Sequence, residues 1–155
     1  MMNRRIEKLA LSLRLRFGSS NAFELCDHLG VGVLWQDLPE QVNGFCLCLG
    51  QKYTIILNLT TPQELRHYVC AHELGHILLH EKTNALELTE LTNLCLPRLE
   101  NQADYFAACL LLQDCLDDWR EWYSTLTVSQ VAQLSGLPVR VVSLCMEDRH
   151  HTAVS

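Results

Sequence analysis

Hydrophobic residues along this chain change period several times, and each change marks a different kind of element. Between residues 3 and 17, Ile6, Leu9 and Leu13 recur at helical spacing among charged residues, and Gly18 is placed to end the helix. Ser20-Asn21 can cap a second helix over Ala22 to Leu29, which Gly30 closes. The period then shortens. Val31-Gly-Val-Leu-Trp35, Phe45-Cys-Leu-Cys-Leu49 and Tyr53-Thr-Ile-Ile-Leu57 are β-rich runs parted by PEQVNG and by Gly50-Gln-Lys52, which predicts a small antiparallel three-stranded meander.

Helical spacing returns after Asn58. In Thr60-Thr-Pro-Gln-Glu64 a threonine cap, a proline at the first helical position and a glutamate three residues past the cap predict a helix start, and the helix should run through His80. Residues 81–96 have no clean period and read as a loop or short irregular helix. A further helix from about Pro97 to Leu112 carries Ala103, Phe106, Ala107 and Leu110 on one side, and the chain closes with a helix pair, Val128 to Ser135 and Pro138 to Met146, around Gly136. The expected class is α+β, a small antiparallel sheet packed on a helical core, with a C-terminal helix pair.

Composition narrows this only in part. A chain of 155 residues, 48% hydrophobic and 19% charged, fits one globular domain. Its longest strictly apolar run, Phe106 to Leu112, is far short of the roughly 20 residues that span a bilayer. Arg14 and Arg16 interrupt what would have to be the apolar core of an export signal, so a cytoplasmic location is expected. The eight cysteines include no CxxC pair, and free, mostly buried thiols are the expectation, Cys70 among them. Cys46 and Cys48 share one strand face, but two thiols without further ligands do not predict a metal site. Net charge is −6, although residues 1–16 carry five basic side chains against Glu7. That imbalance reads as the solvated face of an amphipathic helix, and direct nucleic-acid binding is not expected.

One pentapeptide carries chemistry. His72-Glu73-Leu74-Gly75-His76 is an HExxH motif, and on a helix its two histidines lie about 40° and 6 Å apart, close enough for both imidazoles to reach one ion. Glu73 falls on the neighbouring flank, where a carboxylate can serve as general base. With seven histidines in the chain the pentapeptide arises by accident at a rate of roughly 2%, so it needs support from its surroundings.

A catalytic zinc takes a third protein ligand. The metzincin positions for a glycine and a third histidine are Leu79 and Lys82, which excludes that arrangement. His80 stands roughly 12 Å along the axis from His72, too far to share a tetrahedral ion, and is assigned a structural or capping role. In Glu100-Asn-Gln-Ala-Asp104 two acids sit one turn apart, so Glu100 can bind the metal while Asp104 accepts a bond from the far nitrogen of a ligand histidine. Glu87 and Glu90 compete, but the residues four positions on are Leu91 and Leu94.

On these residues the chain resembles the ImmA/IrrE family of intracellular metallopeptidases. The resemblance rests on Ile55-Ile-Leu-Asn58, on Ala71 to His80, on Glu100-Asn-Gln-Ala-Asp-Tyr-Phe-Ala-Ala-Cys-Leu-Leu112, and on the tail from Thr127 to Val139. It implies a zincin-like, gluzincin-type fold with residues 1–125 as the peptidase domain, 126–149 as a helix-turn-helix-like pair packed on it and 150–155 as a tail. It further implies one Zn2+ per chain on His72, His76 and Glu100, and Glu73 as base. Its expected substrate is a helix-turn-helix repressor of a phage or mobile element. Two departures stand out: Leu111-Leu-Gln-Asp114 where the family often has LLMP, and Arg66-His67 set one residue further from the motif than the usual arginine.

An extended substrate is expected to pair with an exposed sheet edge, here assigned to Tyr53, Ile55, Leu57 and Asn58. Tyr68, Tyr105, Tyr123, His150 and His151 are the candidates for stabilising an oxyanion. Two alternatives stay open. One is a DNA-binding regulator using the C-terminal pair, whose second helix offers only Arg140 to phosphate or base. The other is a non-proteolytic metal protein acting by partner binding, its cleft closed by residues 81–96. Oligomeric state is not set by the sequence.

Overall fold

The computed structural model describes residues 2–80, 95–118 and 125–153. Helices α1 (Met2–Phe17) and α2 (Ala22–Leu29) come first, followed by strands β1 (Gly32–Gln36), β2 (Gly44–Leu49) and β3 (Lys52–Asn58). A 3-10 turn (Gln63–Leu65) leads into α3 (Arg66–Leu79), and α4 (Cys95–Asp118), α5 (Val128–Ser135) and α6 (Val139–Ala153) complete the described chain. Residues 81–94, with Glu87 and Glu90, lie outside the described residues.

The first two helices form as their patterns require. Ile6, Ala10 and Leu13 are buried one turn apart on α1, with Leu9 half-buried beside them. Asn21 caps α2 by accepting from the backbone N–H groups of Phe23 at 2.9 Å and Glu24 at 3.3 Å.

The sheet is not the expected antiparallel meander. Its order is β1-β3-β2, with β3 antiparallel to β2 and parallel to β1. Residues 37–43 must therefore cross over the end of the central strand, and Asn58, 1% exposed, holds them there. Its Nδ2 donates to the carbonyls of Leu38 at 3.2 Å, Pro39 at 3.2 Å and Val42 at 2.8 Å, while its Oδ1 accepts from the N–H of Thr60 at 3.1 Å. A side chain that satisfies so many backbone groups at once replaces the ladder bonds that the crossing segment cannot make.

The start of α3 also differs from expectation. Pro62 stays extended at ψ 140°, so the chain turns through Gln63–Leu65 and the α-helix begins only at Arg66. The anticipated threonine cap is not made: Thr60 Oγ1 bonds Asn58 Oδ1 at 2.9 Å, and Thr61 Oγ1 is buried without a partner among the described residues. Arg66 fastens this corner instead, its guanidinium 4.9 Å from the Trp35 ring and its Nε donating to the Thr61 carbonyl at 3.2 Å.

Helices α3 and α4 pack closely because one position of the motif has no side chain. A Cβ on Gly75 would lie 3.0 Å from Phe106 Cδ1 and 3.3 Å from the Ala103 backbone. This approach brings the polar edges of the two helices face to face. Both α4 and α6 outrun their expected ends at Leu112 and Met146, since no glycine or proline follows within Gln113–Asp118 or Glu147–Ala153. Thr127 and Gln130 form a reciprocal capping box on α5, and Gly136, at φ +76°, ends it. No helix among the described residues is long and apolar enough to cross a membrane.

Candidate metal centre

Four residues apart on α3, His72 and His76 bring their Nε2 atoms to 3.1 Å of each other. Glu100, from the facing edge of α4, closes the triangle with Oε2 3.2 Å from His72 Nε2 and Oε1 2.8 Å from His76 Nε2. Ligands of a tetrahedral zinc at about 2.1 Å stand roughly 3.4 Å apart, so this donor set fits one divalent ion with little adjustment. The imidazoles are 12% and 11% exposed and Glu100 is 47% exposed, which leaves an open side toward solvent.

Charge is arranged around this triangle from behind. Asp104, fully buried on α4, bonds His72 Nδ1 at 2.7 Å and also receives the Tyr68 hydroxyl and the Arg140 guanidinium. Burial disfavours a charged His72, but its bonds to Asp104 and Glu100 lift its pKa to about 10. Bonds from both histidines hold the Glu100 carboxyl well below the usual carboxylate range. Burial opposes ionisation of Asp104, and the His72 and Tyr68 bonds overcome it, holding its pKa low. On the other flank His76 Nδ1 lies 3.1 Å from His80 Nδ1, whose Nε2 is 2.9 Å from Gln102 Oε1. His80 is thus an outer partner, as its distance along the helix anticipates, and burial pushes its pKa down.

Glu73 is buried beside the histidines, and burial raises its pKa against their lowering influence. The Cys46 thiol on β2 hydrogen-bonds this carboxylate, and burial together with the Glu73 charge pushes that thiol up to about 12. A cleft of about 300 Å³ opens here, walled by residues 41–44, Tyr68, Glu73, Glu100 and Arg140. A carboxylate of raised basicity, a three-donor metal set and an open cleft together suit hydrolysis by an activated water.

The structure thus brings His72, Glu73, His76, Glu100 and Asp104 to one place and leaves the four assigned substrate residues elsewhere. β3 is the central strand, with β1 on one side and β2 on the other, so Tyr53, Ile55, Leu57 and Asn58 offer no free edge. Ile55 and Leu57 are core residues, and Asn58 is committed to the crossover. The edge strand beside the site is β2.

Tyr68 had a legible signal, since it stands one turn before His72 on the same helix. Tyr105 donates instead to Glu7 at 2.7 Å, while Tyr123 and the side chains of His150 and His151 lie outside what is described. Arg140 left no local trace of its place, because its partners Asn101, at 3.0 Å, and Asp104 are distant in sequence. The cation that the DNA-binding alternative relied on is therefore engaged at the cleft. Cys70 is buried, with its Sγ 4.0 Å from that of Cys26, and the described cysteines are free thiols.

Comparison with known proteins agrees with this geometry. Residues 26–133 match the family described as Peptidase M78, IrrE N-terminal-like domain. The chain is 32% identical over 124 residues to the protein named metallopeptidase ImmA of Bacillus subtilis (strain 168), covering 78% of this chain and 72% of the relative. It is 29% identical over 130 residues to uncharacterized immunity region protein 2 of Bacillus phage phi105, covering 83% of this chain and 81% of that protein.

Proposed function

Because this chain belongs to the ImmA/IrrE metallopeptidase family, we propose that it is a zinc-dependent endopeptidase acting on a protein substrate. The observation that carries the reading is the closure of His72, His76 and Glu100 around one point with Glu73 beside it. Two imidazoles and a carboxylate suit Zn2+ at one ion per chain, and the zincin-like description of the fold rests on this same arrangement.

When bound, the ion supplies acidification of the attacking water and polarisation of the scissile carbonyl. The protein's residues do the rest. Asp104 orients His72. Glu73, its basicity raised by burial, takes the water proton and later delivers it to the leaving amine. Tyr68 and Arg140, tethered to Asp104, hold the cleft wall next to the reacting carbonyl. The extended substrate pairs with the edge of β2, which is free of any strand partner on its outer side among the described residues.

The domain reading follows: residues 1–125 form the peptidase and the helix pair after it donates Arg140, although its second helix runs on to Ala153, through the stretch expected as a tail from residue 150. The immunity-region and metallopeptidase names of its relatives support a protein substrate in a phage-immunity context, and within this reading that substrate is a helix-turn-helix repressor of a phage or mobile element, met in the cytoplasm.

Plasma mass spectrometry on the purified chain should find about one zinc, lost in Glu100→Ala and kept in Glu73→Gln. Incubation with a candidate helix-turn-helix repressor should give cleavage that falls by roughly 10²–10⁴-fold in Glu73→Gln. A chain without metal after zinc is supplied, or a Glu73→Gln variant that cleaves normally, would overturn the proposal.

A further inference from the structure

The two ligand histidines are backed by different chemistry. His72 Nδ1 meets a carboxylate, whereas His76 Nδ1 meets the ring of His80, one turn on at the end of α3, and the other side of that ring meets the Gln102 amide on α4. Counting protons along this chain decides what it does. With the Gln102 oxygen facing His80, as its 2.9 Å contact has it, only an acceptor is offered, and His80 Nε2 must carry the proton. A neutral His80 then presents a bare Nδ1, which accepts from His76 Nδ1–H at 3.1 Å. His76 thus keeps a proton on Nδ1, and Nε2, the atom that points at His72 and Glu100, is the one free to bind an ion once that ion displaces the proton it shares with Glu100.

Every other arrangement closes that ligand. A reversed Gln102 amide would donate to His80 Nε2 and force the proton onto His80 Nδ1, so that neutral His76 would have to accept at Nδ1 and carry its proton on Nε2. A doubly protonated His80 has the same result.

We propose that His80 and Gln102 are positioning residues that lock His76 into the Nδ1–H tautomer, performing at this ligand with an imidazole–amide relay what Asp104 performs at His72. This rests on the metal site proposed above. It assigns His80 a role that neither a helix cap nor core packing requires, and it makes the ligands unequal. His72 has an anion behind it, and His76 a neutral relay.

The relay can be read directly by long-range proton–nitrogen NMR on the metal-free chain, with His80 expected as Nε2–H, its Nδ1 bare, and a proton on His76 Nδ1. Zinc affinity, measured by competition with a chromophoric chelator, should fall roughly 10–100-fold in His80→Ala. Gln102→Leu should weaken zinc several-fold. Gln102→Glu keeps the acceptor and strengthens it, so its affinity should equal or exceed the parent's. A purely structural role would make the two Gln102 variants behave alike.

Finding His80 as Nδ1–H, affinity in His80→Ala within twofold of the parent, or equal losses in Gln102→Leu and Gln102→Glu would overturn the inference. Should His80→Ala fail to fold, the Gln102 pair and the tautomer assignment decide it. A parent chain that binds no zinc would defeat the peptidase reading, while the tautomers of the metal-free protein would still decide the relay.

Discussion

Helix α4 separates two packed regions that differ in size and in what they hold. On one side α1, α2, the sheet and α3 bury Ile6, Leu25, Ile55, Leu74, Phe106 and Leu110 in a single large core. On the other, α5 and α6 close a smaller one over Ala108 and Leu112 with Val131, Val141, Val142 and Cys145. The large core fixes the backbone of both helices that carry metal donors. The small core contributes a single polar arm, Arg140, which reaches Asp104 at the seam. The candidate site therefore lies where the two regions meet, its donors held by one and its outer charge completed by the other.

The sharpest way to break this contrast is Phe106→Ala. Phe106 is fully buried and seats Gly75 against α4, so its loss should cost about 3–5 kcal/mol in chemical denaturation and weaken metal retention with it. Val142→Ala empties space in the small core only, with an expected cost of about 1–3 kcal/mol. Hydrogen exchange should then quicken in α5 and α6 while α3 amides stay protected; equal acceleration in α3 would mean the two cores open as one. A matched pair sharpens the point further. Asn21→Ala and Thr127→Ala each remove one helix cap, at about 1 kcal/mol apiece, and each should loosen only its own region in the same exchange experiment.

The smallest effect concerns the wall of the large core that faces the cleft. With its pKa pushed up to about 12, Cys46 holds its proton at pH 8. Peptide mapping after iodoacetamide treatment at that pH should show Cys48, exposed on the same strand, modified well before Cys46. Comparable rates would show that burial and the Glu73 charge do not hold the proton on this thiol.

What could be read from the sequence was local. The spacing of His72 and His76 and the single turn between Glu100 and Asp104 are consequences of helical geometry, and Asn21, Gly30, Thr127 and Gly136 act within a turn of where they stand. The three strands were legible from their period, but their order was not. It depends on Asn58 binding carbonyls nearly twenty residues away, and a polar residue at a strand end carries no local sign of that task. The helix start misled for a related reason: the residues resembling a cap were claimed by Asn58 and by the extended Pro62. Arg140 and the relay through His80 and Gln102 required knowing which helices meet.

The crossover tied by Asn58 has one more implication, for how such an enzyme can change its diet. The tether grips the crossing segment through main-chain groups, and the first ladder residue after it, Gly44, cannot gain a side chain because a Cβ there would lie 2.8 Å from the Ile56 carbonyl. Gln41, Val42 and Asn43 line the cleft between these two fixed points, so their side chains can be exchanged while the path of the loop is kept. Grafting those three positions from one relative to another should move preference among substrates without touching the fold.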